Sequence, residues 1–299
     1  FSGFTLYWDA GSWPSGLIAF AYLPWVLLTW RRLLHGRGSA PWAVLAAFAV
    51  GALAITQGNP YGTLGVVATG LGLLVEALLL RNWAGLRRLL AVGACVAAFR
   101  LLVYLPLLVT SELTYRAGGE LFANNGKMRP GVADLLGLSF PTYLPPVRAI
   151  IGQMAVPATY LAWFVLPVLP WLRFGVRRER ARELSGLAVV GLIYLLMTLG
   201  PSQMWLFRWP LRLTEYLYLV IGVGLALVLG QGLARDRLRV RAVWSLALVA
   251  LTTYLTWAED PDRVRAVAGG ALPRGGLTGA LVVLAGRPPP GGGAPGPPL

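Results

Sequence analysis

An all-α fold, a polytopic transmembrane helix bundle, follows from three properties of this 299-residue chain. Hydrophobic residues make up 57% of it and charged residues 13%, a balance that a soluble domain of this size cannot hide in its interior. The apolar residues gather into eight stretches, near 14–30, 42–57, 63–80, 89–110, 155–172, 184–200, 213–233 and 241–258. Each is long enough to cross, or nearly cross, a hydrocarbon core that takes about 20 residues of helix. Arginines mark every second boundary. The linkers 31–41, 81–88, 173–183 and 234–241 hold 3, 3, 5 and 4 of them, 15 of the 26 basic residues.

Positive charge beside a helix end resists translocation, so these four linkers are expected to face the cytoplasm of a bacterial plasma membrane. The segments 1–13, 57–62, 111–154, 201–212 and everything after 258 are expected outside. Residues 1–258 then form one transmembrane domain with loop 111–154 as an outer cap. Residues 259–299 read as an extracytoplasmic tail or linker, of low complexity at 288–299. The opening at Phe1, with no methionine and no charged leader, suggests a piece of something longer with at least one earlier helix.

Taken in order, the first stretch follows Trp13-Pro14 and carries Pro24, and the third follows the turn Gln57-Gly58-Asn59-Pro60 and carries Glu76. Arg100 lies near the middle of the fourth, where an unpaired charge costs about 2.5–3.5 kcal/mol on insertion scales. It needs a partner or a wet cavity, and Glu76 is the candidate partner. Pro106, and in the fifth stretch Pro157, Pro167 and Pro170, each remove a backbone donor and favour kinks. Tryptophans cluster near the stretch ends, as an aromatic belt does. The long loop 111–154 contains Glu112, Arg116, Glu120, Lys127, Arg129 and Asp134, of which Glu112, Arg116, Lys127 and Arg129 are candidate substrate contacts. Within it, 131–138 reads as an amphipathic helix on the membrane surface, polar at Asp134 and apolar at Val132, Leu135, Leu136 and Leu138.

The net charge of +14 raises nucleic acid as a partner, but the arginines sit at helix ends, where anionic membrane lipids account for them. One cysteine, Cys95, and one histidine, His35, exclude a Cys/His zinc site and a disulfide within the chain. No cofactor is evident, and a divalent metal held by carboxylates stays open without support. No phosphate-cradling glycine loop and no nucleophile elbow occur.

Arg208 and Arg212 stand out because they lie at the outer mouth of the seventh stretch, against the charge bias, and four residues apart on what would be one helical face. Guanidinium forks suit the phosphate of a lipid carrier. The alternative pairs Arg212 with Glu215 at i+3 and lets Arg208 reach lipid headgroups. Among the outer acids Asp9, Glu112, Glu120, Asp134 and Glu215, Asp9 lies in Tyr7-Trp8-Asp9-Ala10-Gly11-Ser12-Trp13-Pro14, between aromatics able to stack on sugar rings. An acid so placed is a candidate base for a sugar hydroxyl.

Three features resemble the YfhO-type membrane proteins and the related GT-C glycosyltransferases, which include actinobacterial cell-envelope enzymes. They are Trp13-Pro14 leading into Leu23-Pro24-Trp25, the long outer loop running into Ser139-Phe140-Pro141, and Phe207-Arg208-Trp209-Pro210-Leu211-Arg212. The resemblance implies transfer of a sugar from a polyprenyl-phosphate donor to an envelope acceptor, with Arg208 and Arg212 on the lipid phosphate and an outer acid as base. Asp9 is the candidate for that acid, although alone it does not reproduce the acidic pair such proteins carry in their first outer loop. The rival readings are a non-catalytic translocator of an envelope glycolipid and a scaffold within an envelope complex.

Overall fold

The computed structural model describes residues 2–36, 41–113, 126–149, 151–173, 178–204 and 207–286. Eight principal helices organise them: α1 Pro14–Leu34, α2 Pro41–Thr56, α3 Pro60–Leu79, α4 Trp83–Val109, α5 Ser185–Thr198, α6 Thr214–Leu229, α7 Leu238–Glu259 and α8 Val264–Gly286. Six of them, α6 counted with the helical turn Pro210–Leu213 before it, are long and apolar enough to cross a membrane, while α2 and α5 are shorter apolar helices of 16 and 14 residues. The chain is therefore an all-α, multi-pass membrane protein.

Local chemistry sets the helix boundaries. Pro14 and Pro60 occupy first-turn positions, where a missing N–H costs nothing. The Asn59 side chain accepts from the Tyr61 N–H at 3.0 Å and so caps α3. Asn82 accepts from the Gly85 N–H at 2.9 Å and donates to the last-turn carbonyl of Leu34 at 2.8 Å, joining the start of α4 to the end of α1. Packing then rests on small residues. A Cβ on Gly72 of α3 would stand 2.5 Å from the Gly186 carbonyl oxygen of α5, so the two backbones touch as membrane helices do when side chains do not intervene.

The four arginine-rich linkers meet at one end of the bundle. Besides the Asn82–Leu34 bond, Arg31 donates to the Glu183 carbonyl at 2.8 Å, Leu172 bridges Leu233, and the Ala234 N–H reaches the Trp171 carbonyl at 2.8 Å. The opposite end gathers 2–13, 57–62, 126–149, 151–160, 201–204 and 207–213. There the Tyr61 hydroxyl donates to the Arg208 carbonyl, Gly3 N–H to the Tyr160 carbonyl at 2.6 Å, and Leu211 N–H to the Met128 carbonyl at 2.8 Å.

Three expectations are corrected. The stretch 155–172 is not a spanning helix: it passes from Tyr160, beside Gly3, to Leu172, beside Leu233, as irregular chain with only Val165–Val168 α-helical and Leu169–Trp171 3-10 helical. Pro157, Pro167 and Pro170 remove the donors a regular helix would need. Non-helical backbone at membrane depth is tolerated only inside protein, and Val165, Leu166, Val168, Trp171 and Leu172 are all buried. Side chains replace the missing ladder. Ser245 of α7 donates to the Pro167 carbonyl at 2.6 Å and accepts from Trp171 Nε1 at 2.8 Å, Arg241 donates to the Pro170 carbonyl, and Ser139 Oγ accepts the Leu166 N–H at 3.0 Å.

The supposed tail is the second correction, because 264–286 is helical and apolar enough to span. Arg265, Pro273, Arg274 and a scatter of glycines disguised it in the sequence. Arg274 is 1% exposed, donates from Nε to the Ser139 carbonyl at 2.8 Å and from Nη1 to the Gly270 carbonyl, and lies 3.5 Å over the Phe140 ring. Since Gly286 ends beside Leu238, α8 returns to the arginine-rich end rather than leaving the chain at the other one. Residues 287–299, including the low-complexity stretch, lie outside the described residues.

The third correction concerns 131–138. A short helix does form, Val132–Leu136 continued by the 3-10 turn Gly137–Ser139, with Leu138 buried as an apolar face requires, but Asp134 does not make an outward polar face. Asp134 is buried, accepting from the Gly131 N–H at 2.6 Å and the Tyr143 hydroxyl at 2.7 Å, while Val132 is exposed. Of the expected cap 111–154, residues 114–125 and 150 lie outside the described residues.

Two outcomes test this architecture. With Cys95 replaced by serine, Gly286→Cys should share the labelling behaviour of Arg87→Cys towards an impermeant thiol reagent in intact cells, and differ from Gln57→Cys. Ser245→Ala strands the Trp171 donor and the Pro167 carbonyl together, so it should cost about 1–3 kcal/mol, read as a lower Tm in detergent.

Candidate functional site

The site is assembled from four distant pieces of chain at the end away from the arginine-rich linkers. The first is the N-terminal segment. Thr5–Asp9 forms a π-helical turn, a geometry often found where function distorts a helix, and Ala10–Ser12 completes it before Trp13 breaks the path ahead of α1. Gly3 is required, because a Cβ there would lie 1.8 Å from the Pro157 carbonyl oxygen. Ser2 Oγ and Thr5 Oγ1 are hydrogen-bonded at 2.9 Å, and the Thr5 hydroxyl donates onward to Glu215 Oε2 at 2.8 Å. Asp9, at the end of the turn, is fully buried.

The second piece is the approach to α6. A two-residue ladder pairs Gln203–Met204 (β1) with Phe207–Arg208 (β2). Trp209 follows with φ of +64°, a left-handed conformation that a bulky side chain seldom adopts and that often accompanies a binding or catalytic site. A 3-10 turn, Pro210–Leu213, leads into α6, whose first turn carries Glu215. The Trp209 N–H is held by the Ser202 carbonyl at 2.8 Å.

These pieces close on Arg212. Its guanidinium lies 3.6 Å over the Trp13 ring and 4.3 Å over the Trp209 ring, and only 7% of the residue is exposed. Cation–π contacts gain strength when the cation is desolvated in this way. Arg208 stacks 4.5 Å over the same Trp209 ring. The third and fourth pieces, from α3 and α5, supply an aromatic wall. Tyr61 meets Trp13 edge-on at 5.2 Å, and Tyr194 stacks on Tyr216 at 5.2 Å.

Asp9 and Glu215 lie with their carboxyls within hydrogen-bonding reach of one another. Neither Asp9 oxygen accepts an N–H or O–H from another described residue, and Glu215 Oε1 is likewise unpartnered. Both facts have one explanation: two carboxyl oxygens attract only when a proton sits between them. Burial pushes the Asp9 carboxyl up to about 6, and the hydrogen bond from Glu215 and the charge of Arg212 hold it from rising further. The hydroxyls of Tyr194 and Tyr216, Arg212 Nε and Trp209 Nε1 are also buried without partners among the described residues. Buried polar atoms are satisfied in the great majority of cases, so such a concentration marks this place out.

The structure thus brings together Asp9, Arg208 and Arg212, though not as one helical face. Arg208 lies in β2 and Arg212 in the 3-10 turn, and it is Trp209, not helical spacing, that collects both. The alternative ion pair is absent too, for no described salt bridge joins Arg212 to Glu215. Arg100 does not meet Glu76. Its Nη1 donates to the Thr63 hydroxyl and its guanidinium covers the Tyr104 ring at 4.2 Å. Glu76, at the other end of α3, pairs with His35 Nε2 at 2.7 Å and Arg31 at 3.5 Å. Helix direction separates them: Glu76 lies near the end of α3, whereas Arg100 lies level with its start.

Glu112 is exposed on the 3-10 turn Ser111–Leu113, away from these contacts, and Arg116 lies outside the described residues. Lys127 and Arg129 flank Met128, which packs with Phe4 and Trp209, so they border the site. No group of three or more potential metal-ligating side chains occurs among the described residues. Sequence reasoning missed the roles of Thr5, Tyr61 and Glu215. Only for Glu215 was there a signal, its place one turn after Arg212.

No protein family, characterised protein or solved structure matches the chain.

The sign of one pH effect follows. Because Asp9 titrates at about 6 folded against 3.8 as the ordinary value, its contribution to stability is fully present below about 3.8 and lost as pH rises to about 6. Asp9→Asn removes that loss. The variant's Tm relative to wild type should therefore climb between about pH 4 and pH 7, by the equivalent of about 1–3 kcal/mol. A flat difference across that range would contradict the burial of an ionisable Asp9.

Proposed function

We propose that the protein transfers a sugar from a polyprenyl-phosphate donor to an envelope acceptor, as GT-C enzymes of the bacterial plasma membrane do, at the bundle end away from the arginine-rich linkers. One observation carries the reading: a buried carboxyl and two arginines stacked on tryptophan rings, from segments about 200 residues apart, converge at the bundle end opposite the arginine-rich linkers. In the step this supports, the acceptor hydroxyl gives its proton to the Asp9 carboxylate while its oxygen bonds to the anomeric carbon. The bond from that carbon to the phosphate oxygen breaks, and its electron pair leaves with the lipid phosphate. Arg212 and Arg208 face the charge that develops there, the kind of preorganised electrostatic help that most lowers such barriers. Trp13 and Trp209 offer apolar faces for a sugar ring. No divalent metal is assigned a part.

A second reading, a non-catalytic translocator or scaffold for envelope glycolipids, is favoured by the burial itself, since the Thr5–Glu215 bond and the stacking of Arg212 on Trp13 also fasten the N-terminal segment to the start of α6. The two separate in a transfer assay on the purified protein with a polyprenyl-phosphate sugar. Asp9→Asn should lower transfer about 10²–10⁴-fold, the usual worth of a general base. Arg212→Ala should weaken donor binding about 10–150-fold, the loss of one charge-assisted contact, and Arg208→Ala by less, because it is the more exposed. Full donor binding and transfer by a folded Arg208→Gln/Arg212→Gln variant would leave both residues as structural anchors.

A further inference from the structure

We infer that Glu215 carries a proton and donates it to Asp9, so that the buried pair holds one proton and one negative charge, with Asp9 the ionised member. Its importance for catalysis rests on the transferase reading above, but the proton assignment is independent of it.

Three features of the geometry lead there. First, both residues are shut off from water, at 0% and 1% exposure, with their carboxyls within hydrogen-bonding reach of one another. Two ionised carboxylates in contact at such a place would repel at a cost no neighbour offsets, and two neutral ones would leave Arg212 an uncompensated buried cation. One proton and one charge balance the group. Second, the hydrogen bonds are asymmetric. Glu215 Oε2 is occupied as an acceptor by the Thr5 hydroxyl, whose own oxygen is tied to Ser2. That leaves Oε1, which has no other partner, as the oxygen turned to the donor's role. Third, the charges are asymmetric as well. The positive charge of Arg212 draws the Asp9 carboxyl down, so the negative charge is best placed on Asp9.

The groups facing the pair are Arg212 from the 3-10 turn, Tyr194 from α5 and Tyr216 from α6, with Tyr61 of α3 behind Arg212 and Tyr216. Arg212 is the one formally charged group among them. Glu215 is accordingly a positioning residue: it acts through Asp9, aims one of its oxygens, and keeps the other carboxylate ionised where burial alone would protonate it. The tyrosines shield the pair without competing for its proton.

The test is an infrared titration of the purified protein, with the Asp9 signal isolated by subtraction of Asp9→Asn. Glutamine presents an N–H where protonated Glu215 presents an O–H, so Glu215→Gln should keep the Asp9 midpoint of the wild type. Glu215→Leu has similar bulk and no donor, and should move that midpoint up by about one unit or more. The low-pH limb of sugar transfer should move with it. The inference is overturned if Glu215→Gln shifts Asp9 as far as Glu215→Leu, or if Glu215→Leu shifts nothing. Should Glu215→Leu fail to fold, the carbonyl band of a protonated carboxyl at neutral pH decides. The band must be present in the wild type and lost in Glu215→Gln, and its absence from the wild type overturns the inference. A protein that follows this titration pattern yet transfers no sugar would refute the transferase reading alone.

Discussion

The position of Arg212 between Trp13 and Trp209, where its charge acts on the buried Asp9 carboxyl, is the arrangement on which the end of the bundle depends. A guanidinium this far from water needs both a counter-charge and polarisable faces. Supplying them requires the N-terminal turn, the start of α1 and the left-handed Trp209 to occupy the same place. Thr5 and Glu215 then fasten the turn to α6, and Tyr61 fastens α3 to the backbone of Arg208. The same requirement that holds these segments together concentrates acid, cation and aromatic faces in one spot.

A second constraint acts in the middle of the molecule. Apolar surroundings offer no partner for a free carbonyl, so the irregular passage through 155–172 exists only because α7 and α8 bring Ser245, Arg241 and Arg274 to it or to the neighbouring 139–140 turn. Arg274 and Arg212 solve the same problem in different ways. Each is buried over an aromatic ring, but Arg274 spends its donors on carbonyls, whereas Arg212 faces an acid. That contrast separates an arginine whose donors are spent on the backbone from one whose charge is answered by a carboxyl.

The two ends of the bundle differ in kind. At the arginine-rich end Glu76 is paired with His35 and Arg31, and Asp236 with Arg241 through a carboxylate contact at 2.9 Å, so both of these acids have a cation within reach. At the other end the acids meet each other. Pairing acid with cation lowers the energy of a resting structure, while an acid held against an acid keeps a titratable group near neutrality, as catalytic sites require.

The sequence by itself determined the class of the protein and the grouping of its ends. Long apolar stretches have no other place than a bilayer, and the arginine alternation sorted the linkers into the sets that the folded chain brings together. It also singled out Asp9, Arg208 and Arg212, because charge placed against a compositional bias is visible residue by residue. Tertiary structure alone decided the rest. Hydropathy could not tell an apolar helix from an apolar broken segment, since Pro157, Pro167 and Pro170 are tolerated in either, and what excludes a helix at 155–172 is the set of replacement partners from α7 and from Ser139. Nor could it recognise α8, because Arg274 counts against a span until Ser139 and Phe140 are seen to cover it. The meeting of Asp9 with Glu215 was invisible for the same reason: a pairing across 206 positions is set by how helices pack in three dimensions, and no local pattern of residues encodes it.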